Sequence, residues 1–189
     1  METRTIPNLS HYATANLPRY TSYPTAPHFG PLEEATYRGW LSGMAAGSAL
    51  SLYLHIPFCH ELCWYCGCHT SVPTLADPVD TYITALKAEI ALVARDLPPG
   101  AHVTRIHFGG GSPDILSPAQ VADLFAALRA NFDISRHADI AVELDPRGIS
   151  PELVQAFAAA RGGHVVLDIE SPGGSPVQSD LIASHIRRR

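Results

Sequence analysis

Three times along the chain a short apolar run is followed by a longer segment whose apolar residues recur every three or four positions. "ALSLYLHI" (Ala49–Ile56) is compact, apolar and of strand length. Asp77-Pro78 then supplies an N-cap and a first-turn proline. Val79, Ile83, Leu86, Ile90 and Val93 mark one face of the helix that follows. "HVTRIHF" (His102–Phe108) predicts the second strand. Ser117-Pro118 opens the second helix, and Gln120 completes a capping box with Ser117. Its inward face is Val121, Leu124, Phe125 and Leu128. "DIAVEL" (Asp139–Leu144) predicts the third strand, and Ser150-Pro151 opens the third helix, with Leu153, Val154 and Phe157 inward. "HVVLDI" (His164–Ile169) reads as a fourth strand.

Strand–helix alternation of this kind predicts an α/β fold with parallel strands and right-handed crossovers. Periodicity does not decide between a closing barrel and an open sheet. Residues 1–30 show no period. "PRYTSYPTAPHF" (Pro18–Phe29) predicts an extended arm, because each proline keeps its predecessor out of helix. A short helix is expected around Glu33–Ala46. From Glu170 the pattern stops, and "ESPGGSPVQSDLIASHIRRR" reads as irregular. The expected organisation is an arm and short helix over 1–48, the alternating segment over 49–169, and an irregular tail over 170–189. A sheet ending there leaves one strand edge uncovered.

With 46% hydrophobic and 16% charged residues, the chain is able to build a core. The net charge of −5 carries no nucleic-acid footprint. Arg187-Arg188-Arg189 is a short basic end, expected to be solvated. The N-terminus lacks a basic start followed by an apolar stretch, and no segment reaches the ~20 apolar residues of a membrane span. A cytoplasmic location is therefore expected, where thiols stay reduced. That setting turns cysteine toward metal or redox chemistry.

All 4 cysteines lie in "HIPFCHELCWYCGCH" (His55–His69). Ligands of parallel α/β sheets sit at the carboxyl ends of strands. The cysteines follow the first predicted strand, "GGGSP" (Gly109–Pro113) follows the second, and Glu143 with Asp145-Pro146 ends the third. The spacing of Cys59, Cys63 and Cys66 suits three corners of a [4Fe–4S] cube with one iron left open. A zinc site is the alternative, although zinc modules usually bring ligand pairs from separated knuckles. A thioredoxin-type pair at Cys63 and Cys66 would leave two cysteines unexplained. The glycines make either a tight turn or a close approach of free N–H groups to a ligand. Glu143 is either a charged strand end or an acceptor for a ribose or an amine. Trp64 and Tyr65 either pack under the loop or stack on an adenine. His55 either hydrogen-bonds near the site or is a satisfied core histidine.

The C-x3-C-x2-C after a first strand, with a glycine-rich loop after the second, resembles the radical S-adenosylmethionine (SAM) superfamily. "PRYTSYPTAPHF", "SLYLHIPFCHELCWYCGCHT", "IHFGGGSP" and "VELDPRGIS" together resemble the oxygen-independent coproporphyrinogen III oxidase family over roughly residues 16–163. The resemblance implies a partial (β/α) barrel of the radical SAM type with an extended N-terminal arm. It implies Cys59, Cys63 and Cys66 as cluster ligands and Cys68 as an extra, non-ligating cysteine. The open iron would take the amino and carboxylate groups of SAM. Tyr53, Tyr65 and Glu143 match positions contacting that SAM. Gly110, Gly111 and Ser112 match contacts to a second SAM, Ser112 standing where the family commonly has Thr. Arg19, Tyr20 and Tyr23 match a segment covering the substrate site, where Arg19 meets either a propionate or solvent.

The implied reaction is reductive cleavage of SAM to a 5′-deoxyadenosyl radical, which takes a hydrogen from a propionate. Loss of CO₂ leaves a vinyl group, and two rounds turn coproporphyrinogen III into protoporphyrinogen IX. A one-electron donor such as flavodoxin or ferredoxin is implied, as are a monomer and neither nucleic-acid nor membrane partners. The family's chain is more than twice this long, and "HVVLDIESPGGSPVQSDLIASHIRRR" does not resemble its continuation. Truncation or a frame change near Gly163 would explain the break. Cluster binding by the local loop is expected to survive it, whereas catalysis by this chain alone is not. The alternatives are a non-catalytic iron–sulfur or zinc-binding fragment, and a haem-trafficking relative. Such relatives can lack the cluster ligands, which this chain keeps.

Overall fold

The structure is a computed structural model that describes residues 26–61, 70–75, 77–145, 147 and 149–161. The expected fourth strand, the tail, the arm from Pro18 to Thr25, and Cys63, Cys66 and Cys68 lie outside the described residues. The chain divides into two compact units, Met1–Tyr37 and Arg38–Arg189. The described part of the first holds a 3-10 turn at Ala26–His28 and the start of α1 (Glu34–Ser42).

The second unit continues with β1 (Ala49–Ile56), α2 (Asp77–Arg95), β2 (His102–Gly110), α3 (Pro118–Asn131), β3 (Asp133–Val142) and α4 (Pro151–Arg161). The three strands form a parallel sheet in the order β1-β2-β3. This is the α/β arrangement that the alternation predicts, seen as a partial sheet. Each helix buries most of the apolar face its spacing specifies, although Val93 is only half-buried against the core and Val154, expected inward, is half-buried and outside the core cluster. Val79, Ile83, Leu86 and Ile90 of α2 are buried, as are Val121, Leu124, Phe125 and Leu128 of α3, and Leu153 and Phe157 of α4. They join Leu54, Ile56, Ile106 and Phe108 from the sheet in one core cluster.

Strand alternation divides the sheet into a covered and an open face. Leu54, Ile56, Ile106 and Phe108 point into the core, while Tyr53, Arg105 and Asp139 are exposed. The open face is thus polar, and it carries the Arg105–Asp139 ion pair at 3.9 Å.

The third strand begins earlier than its apolar run suggests, at Asp133 rather than Asp139, and ends at Val142. Its register explains why. His102 and Val103 pair with Asp133 and Ile134, but Arg105 pairs with Asp139. Residues 135–138 therefore form a long irregularity opposite Thr104, and such a break scrambles the alternation a strand would otherwise show.

Two helix starts are built as written in the sequence. The Ser117 hydroxyl accepts from the Gln120 N–H at 3.2 Å, and the Gln120 side chain accepts from the Ser117 N–H at 2.7 Å. The Ser150 hydroxyl accepts from the Leu153 N–H at 3.1 Å. Replacing Ser117 by alanine leaves one α3 donor without its cap. It is expected to lower stability by about 1 kcal/mol, read as a lower urea midpoint at unchanged m-value.

Candidate functional site

The chain leaves β1 through Pro57 and Phe58 to Cys59, and it returns at Thr70 and Ser71. The two ends of this excursion are tied together. The Cys59 N–H donates to the Ser71 carbonyl at 3.0 Å, and the Ser71 N–H donates to the Pro57 carbonyl at 2.9 Å. Phe58 and Ser71 form an isolated parallel bridge. Cys59 is half-buried, its thiol 3.3 Å from the Thr70 hydroxyl. That hydroxyl donates to the Pro57 carbonyl at 3.2 Å. Beneath, the Tyr82 hydroxyl donates to the His55 carbonyl at 2.6 Å, and its ring meets Phe58 edge-on at 5.5 Å. Burial, then the neighbouring Glu89 and Tyr53, push the Tyr82 phenol above its ordinary value, so it stays a donor.

The glycine loop after β2 is pressed against this excursion. The Gly111 N–H donates to the Ile56 carbonyl and the Ser112 N–H to the Phe58 carbonyl, both at 2.7 Å. The sequence left these N–H groups open between a tight turn and a ligand contact, and they close a seam between the first two loops. The glycines are needed for that seam. A Cβ on Gly111 would lie 2.4 Å from the Phe58 carbonyl oxygen and 2.7 Å from the Thr70 hydroxyl. Gly110 has φ +115°, and its Cβ would meet the His55 ring at 2.6 Å. At Gly109 the missing side chain makes room for the Glu143 carboxylate, 3.0 Å from where a Cβ would be.

Glu143 lies just past β3, its N–H bonded to the Phe108 carbonyl at 2.9 Å. Its carboxylate is exposed and 3.0 Å from His107 Nε2. The His107 ring meets Tyr53 edge-on at 5.4 Å, and the Tyr53 hydroxyl is 3.3 Å from His55 Nδ1. Tyr53, His55, His107 and Glu143 therefore form a continuous polar strip across the open face of the sheet. His107 escapes a reading that looks only at loops. Its signal is strand parity, since it pairs in register with Tyr53.

Ser112 is buried. Its hydroxyl accepts from the Asp145 N–H at 3.1 Å and donates to Asp114 Oδ1. Past β3, the Asp145 carboxylate accepts from Arg147 Nε at 2.9 and 3.0 Å and from the Arg147 N–H at 3.0 Å. Arg147 Nη1 also reaches Glu61 Oε2 at 3.2 Å. The side-chain hydrogen bonds from Arg147 hold the Asp145 carboxyl below the ordinary carboxylate range. Partial burial opposes them, while the Arg147 N–H, the Arg147 charge and His60 add to them. A depressed carboxyl stabilises the fold above its unfolded pKa, and that stabilisation is lost as pH falls through the folded value. Arg147→Gln is therefore expected to cost at most about 1 kcal/mol near neutrality, since solvent screens the pair. The gap to the parent chain should close as the medium is acidified below about pH 4, measured by urea unfolding at stepped pH.

Cys59, Gly110–Ser112 and Glu143 thus stand at the carboxyl edge of three adjacent strands. Tyr53 lies on the open face beside them. Tyr65, Cys63, Cys66 and the arm residues Arg19, Tyr20 and Tyr23 lie outside the described residues. A thiol set back from solvent at this edge is a soft donor, suited to iron–sulfur ligation. No helix among the described residues is long and apolar enough to cross a membrane.

The class of protein to which this edge and its parallel α/β sheet belong is given by the family comparison: the model of the Radical SAM superfamily matches residues 53–181, and the chain belongs to that superfamily. A [4Fe–4S] cluster and SAM are the general cofactors of that class. Its curated relatives are more specific. The oxygen-independent coproporphyrinogen III oxidase of Bradyrhizobium diazoefficiens is 48% identical over 161 residues, covering 85% of this chain and 36% of that protein. That of Escherichia coli K12 is 42% identical over 144 residues, covering 75% and 31%. The solved structure of coproporphyrinogen III oxidase (HemN) from Escherichia coli, described as a radical SAM enzyme, superposes with a TM-score of 0.70. It is 36% identical, and the match covers 81% of this chain and 34% of that one. The chain spans about a third of the length of these relatives.

Proposed function

We propose that this chain carries the cluster-binding and SAM-binding edge of an oxygen-independent coproporphyrinogen III oxidase. The observation that carries the reading is the convergence of the Cys59 thiol, the Gly109–Ser112 loop and the Glu143 carboxylate on one sheet edge. In this reading Cys59, Cys63 and Cys66 hold a [4Fe–4S] cluster through three irons. When bound, the cluster supplies the electron that cleaves SAM, chemistry no side chain provides.

The chain's own residues bind and orient. The Glu143 carboxylate accepts hydrogen bonds from the amino group or ribose of SAM, with His107 holding it in place. Tyr53 and Tyr65 offer aromatic surface to the same ligand. Gly110 and Gly111 shape the loop that flanks a second SAM by letting it close on His55 and Phe58, and the buried Ser112 hydroxyl keeps that loop in shape. Arg19, Tyr20 and Tyr23 meet coproporphyrinogen III, Arg19 through a propionate. The reaction is oxidative decarboxylation of two propionates to vinyls: in each round one electron from a flavodoxin or a ferredoxin goes into SAM cleavage, and the propionate gives up a hydrogen atom to the 5′-deoxyadenosyl group, then CO₂ and one electron to a one-electron acceptor. It belongs to a monomer in the cytoplasm, where the thiols stay reduced.

The test is SAM binding to the chain after anaerobic assembly with iron and sulfide. Addition of SAM is expected to change the EPR spectrum of the reduced cluster. Glu143→Gln should weaken SAM about tenfold or more, the worth of one hydrogen bond to a charged group. A spectrum that SAM leaves unchanged in the parent chain would remove the proposal.

A further inference from the structure

β3 has an outer edge that is set back from solvent. Among the described residues β2 is its one neighbour in the sheet. The Glu143 N–H bonds the Phe108 carbonyl at 2.9 Å. Backbone groups alternate along a strand, so the N–H and C=O groups of Ile140 and Val142 turn the other way, toward the outer edge. Both residues are half-buried and pack on the core. A backbone group withdrawn from water in this way costs free energy until it finds a partner.

A cavity of about 360 Å³ lies along the same edge. Phe132, Ile134, Ala138 and Ile140 line it from the β3 side, and Ala160 from the end of α4. Two arginines also reach it, but both are already engaged. Arg129 donates to the Ala160 carbonyl and lies over the Phe125 ring at 5.7 Å, and Arg136 Nε donates to His137 Nε2 at 3.0 Å. The edge and the cavity together fit apolar side chains carried on an extended backbone.

The chain itself delivers such a segment. α4 ends at Arg161, beside the cavity, and Gly162-Gly163 leaves two residues before "HVVLDI" (His164–Ile169). Two residues suffice to turn from a helix into a strand, and glycine suits that turn. The buried faces of α2, α3 and α4 share one core cluster, and the strands follow one another across the sheet in chain order. One more right-handed crossover of the same kind lands beyond β3. Parity then sets the face, because Val165, Leu167 and Ile169 alternate with His164, Val166 and Asp168.

We propose that His164–Ile169 docks as a parallel strand on the outer edge of β3. Val165, Leu167 and Ile169 fill the cavity, and Asp168 joins Tyr53 and Glu143 on the open polar face. The docking needs no cofactor, so it stands or falls apart from the cluster-binding reading.

The test is amide hydrogen exchange in the full chain, with a charge placed at successive positions. The parent chain is expected to protect the Ile140 and Val142 amides. Leu167→Asp sets a carboxylate in the cavity and should raise exchange at both several-fold, while Leu124 and Leu128 of α3 keep their protection. Leu167→Ala, a milder change, should raise the same two amides to a smaller degree. Val166→Asp, one position earlier and on the open face, should leave them as in the parent. Equal effects of Leu167→Asp and Val166→Asp, or none from either, would overturn the proposal. So would free exchange of the two amides in the parent chain. Protection that falls on dilution would also overturn it, since a second copy would then be covering the edge.

Discussion

Gly111→Ala is expected to cost about 3 kcal/mol of stability, the upper part of the range for a forced methyl. The new methyl would sit 2.4 Å from the Phe58 carbonyl oxygen and 2.8 Å from its carbon, both backbone atoms that cannot swing aside. Retreat is no remedy. The Gly111 and Ser112 N–H groups bond the Ile56 and Phe58 carbonyls at 2.7 Å, and opening the seam loses both bonds. Gly109→Ala is the matched contrast. The three atoms nearest its methyl all belong to the Glu143 side chain, at 3.0 Å, and a side chain can turn away. It should leave the urea midpoint nearly unchanged while displacing the carboxylate assigned to SAM. Equal urea midpoints for the two variants would show that no seam joins the first two loops.

Phe108→Ala carries the other large expected effect, about 4 kcal/mol. Phe108 is fully buried, and its ring centroid lies 5.4 Å from those of both Phe125 and Phe157. It therefore joins β2 to α3 and to α4 at once, and three elements surround the cavity its removal leaves. Partial collapse cannot fill a space whose walls are separately anchored. Because Gly109 follows directly, the same loss should loosen the glycine loop. Urea unfolding measures the first effect, and amide exchange at Gly111 and Ser112 the second. A cost below about 1 kcal/mol would mean that the three rings do not form a shared core.

Much of the scaffold is legible in the residues themselves. The three-and-four spacing of Val79, Ile83, Leu86 and Ile90 marks a face that the structure buries, and Ser117 with Gln120 forms the reciprocal cap its spacing describes. Local rules suffice there because each feature lies within one or two helical turns. The start of β3 is not legible. "DISRH" has no apolar run, and only pairing with His102 and Val103 makes Asp133 and Ile134 part of a strand.

The site divides in the same way. The cysteine spacing, the glycines and Glu143 stand out because rare residue types cluster after strands. What the glycines do was less apparent. Their close approach is to Phe58, Thr70 and His55 of this chain, a tertiary fact that no local spacing encodes. Asp114 was hidden for a related reason. In "SPDI" an aspartate looks like an ordinary turn residue, and only the fold shows that its side chain is buried. His107 needed one further step, a comparison of side-chain parity across β1 and β2.

The most direct test of the central claim is metal analysis of the chain assembled under strict exclusion of oxygen with iron, sulfide and zinc all present. Bound iron and sulfide in equal amounts, with a broad absorbance band that disappears in Cys59→Ser, is the predicted result. A chain that takes up zinc and no sulfide would contradict it.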